Sequence, residues 1–468
     1  MSPDVVLHNR ASMKIISSGL SAVNQYDTSS NAIPSVPARR KIVFSEKIPC
    51  LQNTPTPGRS NAKRTRKRRG RSGSGVTEGG FFRPAPSEKI RSKNRFLKKR
   101  SLPRVAKNDA YVYTYGHTEV PYQFLEDLMS KVITFGEIML RLAPEGYKRF
   151  VQADKFDVVY GGAESNVAVS LANFDVPVSF VTKLPAHEMG DAALNELRRF
   201  GVDTKLIARG GERLGIYYAE KGASQRGSFV IYDRAGSSFQ TASPTDFDWE
   251  AIFDDVSWFH FTGITPALGD NVAAICLEAC KKAKAKNITV SCDLNFRKKL
   301  WTSEKAGKVM AELMKYIDVC IANEEDAEKV FGISAKNTDV TGGKLDKKGY
   351  EDVAKQLADR FHLRQVAITL RTSLGASDNK WAALLYDGKN YYYSKEYLIR
   401  IVDRVGGGDS FGAGLIYGNV KGFDPQKTVD FAVAASCLKQ TIEGDFNHIS
   451  VGEAEKLMGG DASGRVSR

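Results

Sequence analysis

From residue 131 onward, short apolar segments alternate with amphipathic ones, and no other feature of the chain restricts its fold as much. Strand signatures stand at 132–142, 178–182, 257–263 (SWFHFTG), 288–294 (ITVSCDL), 318–323 (DVCIAN) and 365–370 (QVAITL). Helical periodicity fills the intervals at 166–173, 191–200, 271–285, 304–316, 324–331 and 350–361. Most strand segments are apolar nearly throughout rather than at every second residue, which predicts burial on both faces. Strands of that kind separated by helices imply a mostly parallel sheet with helices on either side, because parallel neighbours require a long crossover. An α/β chain of three layers is expected.

Two segments break the alternation. Residues 215–233 (GIYYAEKGASQRGSFVIYD) read as a β-hairpin turning at 222–227, and predict a small accessory sheet over one end of the main one. Residues 381–394 read as a second hairpin, with Asp387-Gly388 as its turn. Ligands of open α/β sheets bind at the carboxyl ends of the strands, so an accessory sheet there would serve as a lid that excludes water.

Near the C-terminal end, Gly406-Gly407-Gly408-Asp409 precedes a small-residue segment expected to be helical over 410–417. Such a turn can point several unpaired backbone amides at one spot, with the positive end of a helix behind them. That is a setting for phosphate, or for the charge of a moving phosphoryl group. Asp409 would repel a resting anion, but it suits the removal of a proton from an attacking hydroxyl. Taken alone, the run reads as well as an acid capping a helix after a flexible turn.

The formal charge of +14 suggests nucleic acid until it is divided along the chain. Residues 1–128 hold 24 of the 68 Lys and Arg against nine of the 54 Asp and Glu, and the remainder is close to neutral. This first segment contains the runs KRTRKRRGR (63–71) and RSKNRFLKKR (91–100), recurrent prolines and little periodicity, so a disordered basic extension is expected. It is either an arm that contacts nucleic-acid phosphates or an extension without a role, the body beginning near Met129-Ser130. The aromatic patch at 111–124 allows a short hairpin. No apolar stretch reaches the roughly 18 residues of a membrane span. The N-terminus lacks a signal peptide's apolar core. Cys50, Cys276, Cys280, Cys292, Cys320 and Cys437 are scattered, which fits reduced thiols in a cytoplasmic protein better than disulfides or zinc. His187, His260, His362 and His448 have no metal or triad spacing and are expected to be structural.

In order and spacing, Gly161-Gly162 with Asn166, the lid hairpin, Asn323-Glu324-Glu325-Asp326 and the GGGD run resemble the ribokinase-like (PfkB) family of carbohydrate kinases, over essentially all of 131–455. The resemblance implies a ribokinase-like three-layer sandwich with a mostly parallel sheet and a β lid, forming a kinase domain at 129–468. It implies transfer of the ATP γ-phosphate to a sugar hydroxyl with Mg2+, Asp409 as base and the amides of Gly406, Gly407 and Gly408 as anion hole. Three segments, GIYYAE (215–220), YDRAGSS (232–238) and DLNFRKKLW (293–301), are similar to those of the family's 2-keto-3-deoxygluconate kinases. A sugar acid carries a carboxylate that a bidentate guanidinium suits. Arg234 and Arg297 are the candidates for it, with Tyr217 and Tyr232 offering hydroxyls and an apolar face.

The same resemblance implies a substrate loop of Gly162, Ala163, Glu164, Ser165 and Asn166, with Asp445 also reaching the substrate. It puts Asn295 and Arg297 near the transferred phosphate. Magnesium would be reached through water by Asn323 and Asp326, where aspartate replaces the family's glutamate and Glu325 is the alternative. Thr369, Arg371, Gly375, Gly406 and Gly408 are implied on the nucleotide side, although TLRTSLGAS (369–377) replaces the usual glycine-rich segment and Gly407 stands where alanine is frequent. The expected reaction is phosphorylation of the terminal hydroxyl of 2-keto-3-deoxygluconate. The alternatives are another sugar kinase such as a fructokinase, or a nucleic-acid-binding protein acting through the tail. The family also suggests a homo-oligomer paired through the lid.

Overall fold

The computed structural model describes residues 112–115, 118–121, 131–323, 325–334, 347–461 and 463–464. The expectations for the two basic runs and for Cys50 lie outside them. Within the aromatic patch, Val112–Tyr115 and Thr118–Pro121 pair as an antiparallel hairpin.

The central sheet follows the alternation read from the sequence. From one edge, its strands are Val178–Val181, Lys131–Phe135, Val256–Thr262, Thr289–Asp293, Val319–Ala322 and Gln365–Ser373, all parallel. The chain then turns back, and Asp378–Tyr386 adds antiparallel, flanked by Tyr391–Tyr393 and Tyr397–Arg400. The hairpin expected at 381–394 is therefore part of this sheet edge. Asp387 closes its turn by accepting from the amides of Lys389 and Asn390.

Successive strand side chains point to opposite faces, and the two faces bury separate apolar clusters. Ile133, Phe259, Cys320 and Ile368 pack on one side with Asp270–Ala285, Ser303–Met314 and Lys347–Phe361. Val132, Trp258, Ile321 and Ala367 pack on the other with Ala163–Asn173, Glu188–Arg199, Gly407–Val420 and Pro425–Lys439. The three layers follow from strands that are apolar on both faces. Phe135, fully buried, meets Phe239, Phe247 and Trp249 edge-on, each with ring centroids 5.2 Å away. Truncating such a residue to alanine costs about 3–5 kcal/mol.

The strand expected at 132–142 is two strands. Lys131–Phe135 belongs to the central sheet and Met139–Pro144 to the lid, with residues 136–138 carrying the chain between them. Gly136 permits the crossing, since a Cβ there would lie 2.0 Å from the Glu164 carboxylate. The hairpin Ile216–Glu220 and Phe229–Asp233 joins Met139–Pro144 and Phe156–Gly161 in a four-stranded lid sheet, so the lid comprises the expected region at about 215–234 and neighbouring strands. The glycine-turn helix also begins earlier than expected, at Gly407 rather than Ser410.

Cys276, Cys280, Cys292, Cys320 and Cys437 are free and buried, and burial pushes their thiols upward in pKa. Among the described residues, no helix is long and apolar enough to cross a membrane.

Candidate active site

A cavity of about 380 Å3 opens at the carboxyl ends of Thr289–Asp293 and Val319–Ala322, between the lid sheet and the glycine turn. It brings together most of the residues singled out in the sequence: Gly162, Ala163, Glu164 and Asn166 of the first loop, Tyr217, Tyr232 and Arg234 of the lid, and Asn295, Arg297, Asn323 and Asp326 beyond the strand ends. Thr369, Arg371, the three glycines, Asp409 and Asp445 complete that set. Ser165 and Gly375 do not line it. The Ser165 hydroxyl donates to Gly162 O at 2.9 Å and supports the loop from within. Gly375 lies against Ser224 in the lid hairpin's turn, and the amide of Ala376 donates to Ser224 O at 2.6 Å.

The glycine turn is shaped by one close approach. Gly406 has φ 81°, and a Cβ on it would fall 2.1 Å from Asp445 O, so only glycine fits. Gly407 donates to Arg404 O at 3.3 Å, whereas the amides of Gly406, Gly408 and Asp409 have no acceptor among the described residues. The amides left to meet an anion thus differ from the expected three glycines by one member, Asp409 standing in for Gly407. Nothing stands within 4 Å of where a Gly408 Cβ would be, so the turn is open on that side.

Asp409, in the first turn of the helix, is half-buried in the cavity wall. Burial raises its pKa to about 6, and the hydrogen bond from Asn166 acts against that rise. Asn166 Nδ2 donates to Asp409 Oδ2 at 2.7 Å, and Asn166 Oδ1 accepts from the Gly162 amide at 3.3 Å. The amide expected to read sugar hydroxyls therefore holds the acid and the loop. The loop itself sits tightly, because a Cβ on Gly162 would meet Glu137 O at 1.9 Å. Glu164 also differs from expectation. Its Oε1 accepts from Thr262 N, Thr262 Oγ1 and Thr265 Oγ1 at 2.7–2.9 Å, and burial raises its pKa to about 7.

Above the cavity, Tyr217 donates its hydroxyl to Asp445, which also accepts from Arg141 Nη1 at 2.7 Å. Arg141 reaches Asp403 with its other terminal nitrogen at 2.8 Å. Tyr217 and Asp445, both expected to touch substrate, are thus engaged in a buried network with two residues the sequence did not single out. Arg234 is likewise committed. Its Nε donates to Glu137 Oε2 at 2.8 Å, its Nη2 bonds the same oxygen, and Ser237 Oγ donates to Glu137 Oε1. Arg297 differs: it is exposed at the cavity, and the one hydrogen bond its guanidinium makes among the described residues is a long 3.4 Å contact to Phe296 O. Tyr232, 42% exposed, keeps its ring on the cavity beside Arg234.

Asp293, Asp326 and Asp409 face one another across the floor. Burial raises the pKa of Asp293 well above its usual value, the charges of Asp326 and Asp409 add to the rise, and Arg297 opposes it. Asp326 is held by the amides of Phe296 at 3.0 Å and Asn323 at 3.2 Å, while Asn323 Oδ1 accepts from the amides of Glu325 and Asp326. Glu325, the alternative to Asp326, is exposed and lies outside the lining. Among the described residues no group of three or more His, Cys, Asp or Glu is arranged to enclose a metal ion. The remaining lone pairs of Asp326 suit an ion held through water.

Sequence reasoning passed over Asp293 and Arg404. Asp293 is an acid at the carboxyl end of a parallel strand, a position where ligands are expected, so its signal was present. Arg404 lines the cavity next to the glycine turn and donates to Ala376 O at 3.0 Å. Burial lowers its pKa and the nearby Arg371 lowers it further, so two guanidiniums stand close at this end of the cavity.

Against known proteins, the model of the pfkB family carbohydrate kinases matches residues 129–447. A 2-dehydro-3-deoxygalactonokinase of Haloferax volcanii is 30% identical over 336 residues, covering 72% of this chain and 99% of that protein. A 2-dehydro-3-deoxygluconokinase of Thermoproteus tenax is 26% identical, covering 71% and 95%. The crystal structure of a 2-dehydro-3-deoxygluconokinase from Thermotoga maritima is 53% identical with a TM-score of 0.68, covering 71% of this chain and 98% of that one.

Proposed function

The chain belongs to the pfkB family of carbohydrate kinases, and from that premise we propose that it phosphorylates the terminal hydroxyl of 2-keto-3-deoxygluconate, using ATP and Mg2+. The observation that carries this reading is one cavity holding Asp409, with a pKa of about 6, beside three unpaired amides and the uncommitted guanidinium of Arg297. Asp409 accepts the proton of the terminal hydroxyl as that oxygen bonds to the γ-phosphorus and ADP departs. The amides of Gly406, Gly408 and Asp409 meet charge on the phosphoryl oxygens, the electrostatic help such a transfer requires. Arg297 is placed to meet the substrate's carboxylate or the phosphoryl group, and Tyr232 to cover the carbon chain. Arg371, Arg404 and Thr369 fit the nucleotide's phosphates. Asn323 and Asp326 would hold Mg2+ through water, where it would neutralise phosphate charge.

A second reading is favoured by the Haloferax relative, whose name specifies the galactonate-derived epimer. The carboxylate argument does not distinguish the epimers, whereas it disfavours fructose. Coupled ADP-release assays on both epimers and on fructose decide the matter. Preference for either acid supports the sugar-acid reading, and fructose turning over faster overturns it.

We also assign residues 129–468 to the kinase domain and 1–128 to a separate basic extension. Nucleic-acid binding by the full chain and by 129–468, compared across salt concentrations, tests for a role of the tail. The outer lid face exposes Val158, Phe229 and Ile231 by 60%, 54% and 45%, which supports pairing of two copies through the lid. Five buried, unpaired thiols support a reducing compartment such as the cytoplasm.

A further inference from the structure

Beneath the glycine turn lies a lysine to which the reaction described above gives no part. Lys439, the last residue of Pro425–Lys439, is fully buried. Its Nζ donates to Gly444 O at 2.7 Å and Ile442 O at 3.3 Å. Its Cε lies 3.0 Å from where a Cβ on Gly406 would stand, and Asp445 O lies 2.1 Å from the same point. The ammonium, the segment it binds and the turn bearing the anion-facing amides are therefore in direct succession. Burial lowers the Lys439 pKa, while Asp403, Asp445 and Asp409 raise it and Arg141 lowers it. Withdrawing an ammonium from water costs several kcal/mol unless acceptors and opposite charge compensate it; here two carbonyls accept from it and the charges of Asp403, Asp445 and Asp409 favour it.

We propose that Lys439 is a positioning residue for phosphoryl transfer, a built-in cation that fixes the 442–445 segment under Gly406 and places positive charge behind the anion-facing amides. The inference rests on the kinase reading. Charge at that point matters most when the phosphoryl group is in transit, so its loss should lower kcat more than it raises either KM. The same charge stabilises the Asp409 carboxylate, so its loss should move the acid limb of kcat/KM to higher pH. A lysine that only tied down two carbonyls would not produce that shift. Removing the side chain back to Cβ leaves a space lined by the Ile442 and Gly444 carbonyls, of a size for a small monovalent cation.

The experiment compares wild type, Lys439→Met and Lys439→Ala in chloride salts of ammonium, potassium and tetramethylammonium. Lys439→Met is expected to lose about 30-fold or more in kcat, with both KM values within about threefold of wild type. Its acid limb should lie at higher pH. Lys439→Ala should regain about tenfold in ammonium or potassium but not in tetramethylammonium, which is too bulky for the space. Wild-type turnover should be the same in all three salts. Wild-type kcat in Lys439→Met with an unshifted limb overturns the proposal, and so does a wild-type enzyme that depends on ammonium or potassium. The salt series on wild type decides even where a variant fails to fold. Failure of the kinase reading would appear separately, as no turnover of any sugar by wild type. The thermal midpoint of Lys439→Ala then decides: a rise in ammonium over tetramethylammonium supports the cation site, and no rise overturns it.

Discussion

Asn166 Nδ2 donates to Asp409 Oδ2 at 2.7 Å, joining residues 243 positions apart in the chain. Through Asn166 Oδ1 the same side chain also holds the amide of Gly162, so one residue fixes Asp409 relative to the first loop. A donor to a carboxylate favours its charged form, and here it works against burial.

Asp409 must be ionised to take a proton, so kcat/KM should rise with pH through about 6 and level above it. Asn166→Leu removes the donor, and the inflection should move to higher pH by roughly half a unit to one unit. Asp409→Asn should lower kcat about a thousandfold while nucleotide binding by calorimetry is retained. Near-normal turnover of Asp409→Asn would remove it as base.

The two arginines should separate in their effects. Among the described residues Arg297 has no carboxylate partner within hydrogen-bond reach, so Arg297→Ala should leave the thermal midpoint within a few degrees and raise KM for the sugar acid about tenfold or more. Arg234 neutralises buried Glu137. Arg234→Ala should therefore unfold several degrees earlier, because an unpaired buried charge costs about 3–5 kcal/mol. Equal thermal midpoints for the two variants would contradict this division.

Local features were legible and long-range pairings were not. The central sheet could be read because strands buried on both faces are apolar residue after residue, and Asp409 because the glycine turn beside it is contiguous. The break at 136–138 was hidden, since an apolar run looks alike whether it continues in one sheet or crosses to another. Arg234 was read as a free guanidinium because its partner, Glu137, lies 97 residues away. Arg141, Asp403 and Asp445 meet across separations of 262 and 304 residues, and no local pattern marks any of them as a partner of the others.

Among the described residues Arg141 is the single cation hydrogen-bonded to both Asp403 and Asp445, with side-chain exposure of 2%. Arg141→Met should cost about 3–5 kcal/mol, seen as a large fall in denaturant midpoint, because two buried carboxylates lose their partner at once. Restoring neutrality with Asp403→Asn and Asp445→Asn in the same chain should recover part of the loss. A single variant as stable as wild type would show that the carboxylates are already protonated in the fold.

Glu164 gives a stability effect of opposite sign to that of a paired carboxylate. Burial raises its pKa from 4.5 to about 7, and three hydrogen bonds to Oε1 only partly offset that rise. Below pH 4.5 both the folded and the unfolded chain hold the proton. Between 4.5 and 7 the unfolded chain releases it while the fold retains it, so stability falls as pH rises through that window and the loss is complete above it. Asp293, Asp409 and Asp445 are raised as well and add to the descent. Glu164→Gln keeps an acceptor toward Thr262 and Thr265 but cannot ionise, so its own share of the descent disappears. Thermal midpoints of the two proteins should agree near pH 4.5 and diverge above it, the variant gaining roughly 1–3 kcal/mol by pH 8. Parallel curves from pH 4.5 to 8 would mean that Glu164 does not titrate between folded and unfolded states, and that Thr262 and Thr265 hold it as a carboxylate throughout.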